Sequence, residues 1–333
     1  MRLLLYPALA FALLLLANHP TATADESVSV ATWNLEWFFD ADTSDNDSKV
    51  AAKQSAPSQD EWVWKLNSVA AVIAKLKPTI LGLQEVEDRE VLQQLTKVLK
   101  EQFDISYRIA FIEGWDQYTH QDVAFLYRTG LIEYSRKEQT AEMFQSKEYY
   151  NVHKHLFARF EFGSGKQREQ LLLANVHLRA TAEKQDIRIK QCRLLRKWIS
   201  EELTAGNNVI VLGDLNTEEV CGSVREGSDL AILMGLDTKS QDDDLIDSHL
   251  KLQADYRDTH LGGRQFDRIL ISRSLIDDKR KKQDLSFVQI GNFKEAVVVG
   301  ERDHNHFDNY YKIPQAERDV SDHYPIMVEF QIK

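Results

Sequence analysis

The sequence predicts a layered α/β domain, on three observations. Its opening runs strand, helix, strand, helix; its middle changes to strands joined by polar segments without helices; and one apolar strand after another ends in carboxylate, amide or imidazole. The third observation organises the chain. Residues 209–216, V-I-V-L-G-D-L-N, have the length and composition of a strand buried on both faces. Gly213 then releases Asp214 and Asn216, which lie two apart and point the same way along an extended segment. An anionic acceptor beside an amide suits a phosphate, a water or a metal ion. Taken alone, G-D-L-N is more readily a turn; the other polar strand ends argue for a site.

Before the domain, Met1 and Arg2 lead into L-L-L-Y-P-A-L-A-F-A-L-L-L-L-A and then T-A-T-A, with small side chains at Ala22 and Ala24. This is the layout of a secretory signal, expected to be cleaved after Ala24. The run is shorter than the roughly 20 apolar residues that span a bilayer and holds Pro7. Residues 1–24 are therefore expected to be a signal peptide and residues 25–333 a single exported domain, secreted or periplasmic, with no stable membrane anchor. Losing Arg2 takes the formal charge from -11 to -12. That balance excludes coating nucleic acid by charge alone, while leaving room for a local basic groove and for divalent cations. Cys192, in a predicted helix, and Cys221, in the loop after Asn216, are an even pair in an exported chain. They are candidates for a disulfide tying that loop beside the site, the alternative being two buried thiols.

In chain order, V-S-V-A-T runs into W-N-L-E-W, with Asn34 and Glu36 on one side and Trp33, Leu35 and Trp37 buried on the other. Residues 40–60 are polar, acidic and aperiodic, a long loop. Val63, Leu66, Ala70, Ile73 and Leu76 recur at helical spacing until Pro78. T-I-L-G-L-Q-E-V is a second buried strand ending in Gln84 and Glu85, and Val91, Leu95, Val98 and Leu99 mark the next helix. Y-R-I-A-F-I, V-A-F-L-Y, L-F-A-R-F-E-F and Q-L-L-L-A-N-V-H-L follow as strands expected to pair antiparallel. The last delivers Asn175 and His177, with Arg179 two further on. Ile187, Leu194, Leu195, Trp198 and Ile199 form a third helix whose cationic face (Arg188, Lys190, Arg193, Arg196, Lys197) is expected in solvent and whose end is Gly206-Asn207. Q-F-D-R-I-L-I-S carries Asp267, and Ser321-Asp322-His323-Tyr324-Pro325 precedes the final strand. D-D-K-R-K-K-Q-D reads as a solvated loop, and His304 and His306 as part of an exposed polar one.

The collected strand-end residues suit phosphodiester cleavage. A hard dication such as Mg²⁺, with Mn²⁺ or Ca²⁺ as alternatives, needs one or two carboxylates and a substrate phosphate. Glu85 is the foremost ligand candidate, with Glu36 and Asp322 near it and Asn34 orienting Glu85 or a phosphate oxygen. Asp214 is assigned to the attacking water, with Asn216 fixing its geometry. His323, oriented by Asp267, faces the phosphoryl centre; His177 protonates the leaving group or steadies the phosphate. No G-x-S-x-G elbow, phosphate-cradling G-x-x-x-x-G-K-[ST] loop or H-E-x-x-H helix is present, so covalent, nucleotide-driven and zinc-protease chemistries drop out.

W-N-L-E-W, L-Q-E-V, N-V-H-L, G-D-L-N, F-D-R-I-L and S-D-H-Y-P stand in the order of the endonuclease/exonuclease/phosphatase superfamily, the pancreatic-type DNase fold, which the chain resembles from Val28 to its carboxyl end. The resemblance implies a four-layer αββα sandwich, two mixed and mainly antiparallel sheets face to face with helices outside, and a metal-dependent phosphoesterase site on their shared edge. It places Asn34, Glu85, His177, Asp214, Asn216, Asp267, Asp322 and His323 on catalytic positions. Glu36 stands where many members have Asp or a small residue, and Gln121 or Asp122 where a polar residue orients the first histidine. One scaffold hosts nucleases, sphingomyelinases and inositol-phosphate phosphatases. A monomeric nuclease with nucleic acid as substrate is the first expectation. Arg179, Arg188, Arg264 and Arg268, with Lys184 and Arg257, flank the motifs as a phosphate track. Exposed rings at Trp115, Tyr118 and residues 307–311 would instead suit a lipid phosphodiesterase. A non-catalytic binding protein on the same scaffold is the remaining class.

Overall fold

The computed structural model describes residues 27–44, 48–163, 168–276, 285–300 and 306–332. The expected signal sequence, the basic loop D-D-K-R-K-K-Q-D and His304 lie outside them.

Alternating burial builds the frame. In β1 (Ser27–Phe38) one face offers Ala31, Trp33 and Leu35 and the other Val28 and Val30, and the two faces belong to different apolar clusters. The strand is therefore covered on both sides, as its composition requires. The other strands are β2 (Ile80–Val86), β3 (Arg108–Phe111), β4 (Asp122–Tyr127), β5 (Leu131–Ser135), β6 (Lys154–Phe162), β7 (Glu169–His177), β8 (Asn208–Asp214), β9 (Leu245–Asp247), β10 (Asp267–Ser272), β11 (Leu285–Asn292) and β12 (Ile326–Ile332). They form two six-stranded sheets, ordered β11-β12-β1-β2-β4-β3 and β5-β6-β7-β8-β10-β9. Each sheet has one parallel pair, β1 with β2 and β7 with β8, and antiparallel neighbours around it.

The long helices cover the outer faces. α2 (Gln59–Leu76) starts on the Ser58 cap and ends where Lys77 turns left-handed before Pro78; α3 (Arg89–Phe103) starts on the Asp88 cap. Both pack on the first sheet through Trp62, Leu66, Val69, Leu92 and Leu95. After the short α4 (Ala141–Ser146), which buries none of its residues, α5 (Gln185–Ala205), closed by Gly206 at φ 70°, and α6 (Asp229–Met234) cover the second sheet. Between the sheets lies the third cluster, with Phe125, Phe160, Ile210, Leu212, Ile269 and Phe330. The result is the four-layer sandwich that the resemblance implied. The segment expected to be a loop at residues 40–60 carries a short helix, α1 (Lys49–Gln54), capped by Ser48. The helix face expected in solvent is part-buried: Arg188 is enclosed, and Arg196 pairs with Asp243 at 2.5 Å. Trp37 is only half-buried.

A polar side chain also links the two sheets. Asn175 of β7 donates to the carbonyls of Leu83 and Ala124 in the opposite sheet, at 3.0 and 2.8 Å, and accepts from Gln84 Nε2 at 2.7 Å. Asn175 is thus a clamp between the sheets.

His155 is buried in β6, its Nδ1 against the Val152 carbonyl at 2.5 Å and its Nε2 accepting from the Lys137 amide at 2.9 Å. Burial, aided by nearby Arg136, pushes its pKa down to about 3. Because the folded value lies below the ordinary one, the unfolded chain binds the proton first. The neutral ring's contribution is intact above about pH 6.5 and is lost as pH falls toward 3. His155→Gln is expected to flatten the acid limb of the stability curve, by at most about 1.4 kcal/mol per pH unit across that window. Chemical denaturation of both proteins from pH 7 to pH 4 measures it; identical slopes would contradict the assignment.

Candidate active site

Along each central strand the face toward the opposite sheet is apolar at one end and polar at the other. On β1, Val28 and Val30 give way to Thr32 and Asn34; on β7, Leu171 and Leu173 to Asn175 and His177; on β8, Ile210 and Leu212 to Asp214. β10 runs the other way, so Asp267 at its start stands beside Asp214, and His177 stands on Asp214's other side. All these polar ends meet at one edge of the sandwich.

Glu85 reaches that edge by a different device. Simple alternation would place it opposite Gln84, facing the helices. The ladders of β2 with both β1 and β4 slip at this residue, and Glu85 adopts φ 58°. A bulge of this kind re-aims a side chain. Glu36, Trp37 and Asn216 also have positive φ, at 50°, 50° and 48°, so left-handed non-glycine backbone is concentrated around the site.

The polar atoms converge. Asn34 Nδ2 donates to Glu85 Oε1 and to Asp214 Oδ2, each at 3.1 Å, joining a carboxylate of each sheet. Asp214 Oδ2 also lies 3.6 Å from His177 Nε2 and 3.9 Å from His323 Nε2. Its Oδ1 accepts from the Asn216 amide at 2.9 Å, while the Asn216 side chain donates to the Leu178 carbonyl at 3.2 Å. Thus the Asn216 backbone, and not its side chain, holds Asp214. His323 Nδ1 and Asp267 Oδ2 are 2.7 Å apart. Ser321 and Trp33 stitch the Asp322-His323 loop to β1: Ser321 Oγ donates to the Asn34 carbonyl at 2.8 Å, and Trp33 Nε1 to that of His323 at 3.0 Å.

A second group flanks the first. Glu36 Oε1 contacts His306 Nδ1 at 2.7 Å, and Glu36 Oε2 accepts from the Asp322 amide at 2.9 Å. Ligating atoms of Glu36, His306 and Asp322 lie within 4.8 Å of one another, as do those of His260, Asp322 and His323. His306, expected in an exposed polar loop, is instead buried, and His260 carried no expectation. His306 sits on α7 (His306–Asn309), and His260 is brought in by a lone bridge to His323; neither leaves a local signal.

Electrostatics separate the groups by role. Burial and the charge of Asp322 raise the proton affinities of Glu36 and Glu85. Burial raises Asp214 to about 6, against the opposing pull of His323. Burial alone would lower His323, but Asp267 and Asp322 overcome it and hold the imidazole well above its usual range. His177 is pushed well below its usual range by burial and Lys154. The site thus favours the charged form of His323 and the neutral form of His177. The donor set fits a hard dication: an oxygen-rich group of crowded carboxylates whose mutual repulsion a bound positive charge would relieve.

Several expectations are corrected. Neither Gln121 nor Asp122 orients His177: they accept from Lys154 Nζ at 2.6 Å and from the Gly114 amide at 2.8 Å, and His177 Nδ1 has no partner among the described residues. Arg188 is buried in an ion pair with Asp229 at 2.7 Å, and Arg268 is buried against Asp247 and the Glu219 carbonyl. Both hold the frame and are closed to substrate. Arg264 pairs with Glu218 at 3.1 Å. Of the five proposed arginines only Arg179 lines the cavity above the site, together with Lys184; Arg257 instead donates to the Leu252 carbonyl at 3.1 Å. Cys192 and Cys221 are free, buried thiols. Cys192 packs in the inner stripe of α5, and the loop that a disulfide would have tied is held by Arg225 and Arg268 on Glu219.

A family model described as Endonuclease/Exonuclease/phosphatase family matches residues 29–332. No curated protein is recognisably similar in sequence. Among solved structures, humanized D. rerio TDP2 carrying 14 mutations aligns with a TM-score of 0.57 at 17% identity, over 91% of this chain and 98% of its own. D. rerio TDP2 complexed with a single strand DNA product gives 0.57 at 17%, over 92% and 99%. The human Nocturnin catalytic domain with bound sulfate gives 0.56 at 16%, over 93% and 96%. At these identities the likeness is one of fold.

Crowded carboxylates make the metal-free fold less stable than it would be with one of them neutral. Glu85→Gln is expected to raise the melting temperature of chelator-treated protein at pH 8. Added Mg²⁺ is expected to raise the melting temperature of the parent protein and to have a weaker effect on the variant. A parent protein indifferent to Mg²⁺, or a variant that melts lower in chelator, would contradict the reading of the cluster.

Proposed function

Because the chain belongs to the endonuclease/exonuclease/phosphatase family, we propose that it is a divalent-metal-dependent phosphodiesterase that hydrolyses nucleic acid, DNA foremost, by direct attack of water. The observation that carries this is the convergence of Asn34, His177 and His323 on Asp214 Oδ2, with Glu85 linked to the same atom through Asn34. The D. rerio TDP2 structure with DNA product supports nucleic acid as the substrate class.

Glu85, Glu36 and Asp322, with Asn34, would hold the dication, Mg²⁺ or in its place Mn²⁺ or Ca²⁺. When bound, it offsets charge on a non-bridging phosphoryl oxygen. Asp214, whose carboxylate burial makes more basic, takes the proton of the attacking water, and the Asn216 amide fixes its carboxylate. The His323 imidazolium, anchored by Asp267, presents Nε2–H to the phosphoryl group as charge develops there. Proton delivery to the leaving oxygen falls to the same imidazolium, while His177, whose proton affinity burial lowers, steadies the phosphate through a hydrogen bond. Arg179 and Lys184 on the cavity wall take flanking phosphates.

The reading includes export, supported by the apolar run after Arg2 and by Ala22 and Ala24. Amino-terminal sequencing of protein produced with the whole leader is expected to begin at Asp25. A sample beginning at Met1 would contradict it.

Purified protein with Mg²⁺ is expected to cleave plasmid DNA or RNA in preference to sphingomyelin and inositol phosphates. His323→Ala is expected to lower kcat by about 10²- to 10⁴-fold. Preferred turnover of sphingomyelin or inositol phosphates would replace the substrate class. Ligand binding without hydrolysis of any of these would favour a binding protein.

A further inference from the structure

The cavity over the catalytic edge, about 620 Å³, is lined by more than catalytic groups. Trp115, Tyr118, Tyr150 and Phe307 stand on its wall beside Glu85, His177 and Asp322. They are 61%, 67%, 43% and 53% exposed. Eight aromatic side chains are largely exposed among the described residues, Phe103, Tyr134, Phe144 and Tyr256 being the others. Half of them thus face this one hollow. None of the largely exposed Val, Ile or Leu side chains lines it.

The rings are carried on a braced wall. Asp116 accepts from the amides of Tyr118 and Thr119 at 3.1 and 3.3 Å and pairs with Lys154 at 3.1 Å. The Trp115 carbonyl lies 3.2 Å from His153 Nδ1, and the Gly114 amide donates to buried Asp122 at 2.8 Å. A Cβ on Gly114 would fall 2.2 Å from that carboxylate, so only glycine allows this close approach. The aromatic wall is therefore pre-organised. Arg179 and Lys184 line the same cavity, exposed and with no ion pair among the described residues.

Flat rings and free cations together match a ligand that carries flat rings and phosphates. Resting on the phosphodiesterase reading above, we propose that this cavity is a base subsite: it stacks one or two unpaired nucleobases next to the scissile phosphate, which makes single-stranded nucleic acid the substrate. Bases in a duplex have both faces covered by their neighbours, and they reach protein rings only when unpaired. A bilayer would be met by a protruding apolar lip, whereas these rings line a concave wall that also holds Arg179 and Lys184.

The test uses full-length mature protein in EDTA, so that binding is read without turnover, and an oligodeoxynucleotide carrying 2-aminopurine, whose fluorescence falls on stacking. The parent protein is expected to quench the single strand and to bind its duplex form at least tenfold more weakly. Trp115→Ala and Tyr118→Ala, both at exposed positions, are each expected to weaken single-strand binding by roughly 5- to 150-fold. Binding of an abasic strand of the same length should be unchanged by either variant. Equal binding of the single strand by parent and variants would overturn the proposal. So would equal binding of single strand and duplex, or a Trp115→Ala defect confined to sphingomyelin vesicles. With Mg²⁺ added, cleavage of the abasic strand by protein whose binding ignores Trp115 would sink the base subsite alone. Stacking that persists without any hydrolysis would support the subsite and remove the phosphodiesterase reading instead.

Discussion

The structure depends on one constraint: the layer between the two sheets is apolar along most of its length and polar at a single edge. Strand geometry leaves little freedom here. Side chains two apart share a face, so Val28, Val30, Thr32 and Asn34 are one continuous stripe, and Ile210, Leu212 and Asp214 another. The parallel pairs β1/β2 and β7/β8 bring carboxyl ends to the same side, and antiparallel β10 and β12 bring their starts there. A carboxylate placed anywhere else on these faces would be enclosed by Phe125, Phe160 and Phe330 and left unpaired. At the edge, it finds partners.

Those partners explain how so much charge is held together. Asn34 is a neutral bridge: its amide satisfies Glu85 and Asp214 without adding charge. Buried Lys65, bonded to Tyr310 Oη at 2.8 Å and the Val320 carbonyl at 2.7 Å, supplies a cation behind the carboxylates. Three of the site's imidazoles sit on carboxylates, His323 on Asp267, His306 on Glu36 and His260 on Asp322. The left-handed backbone at Glu36, Trp37, Glu85 and Asn216 costs on the order of 1–3 kcal/mol per residue. Such strain persists only where the surrounding packing over-determines it, and here the two outer helical layers and the inter-sheet core do so.

Much of this was legible in the sequence because alternation is local. The strands whose apolar runs end in N-L-E, Q-E, N-V-H and G-D-L-N announced both their burial and their polar tips, and the structure brings Asn34, Glu85, His177, Asp214, Asp267, Asp322 and His323 to one edge. What could not be read depends on partners distant in the chain. Arg188 and Arg268 look like phosphate ligands until Asp229 and Asp247 are found against them. His306 and His260 are ordinary loop histidines until Glu36 and Asp322 face them. The pairing of Cys192 with Cys221 was a matter of even count, and packing, not composition, leaves each thiol alone. Glu85 was placed at the right strand end, but alternation would have turned it toward the helices, and a bulge turns it back.

The central claim is that groups from opposite sheets act on one phosphoryl centre. A double-mutant cycle with Glu85→Gln from the first sheet and Asp214→Asn from the second, scored by kcat on DNA with saturating Mg²⁺, tests it most directly. The account predicts strong non-additivity, with the double variant about as slow as the slower single one. Losses that simply multiply, or a single variant with unimpaired turnover, would contradict it.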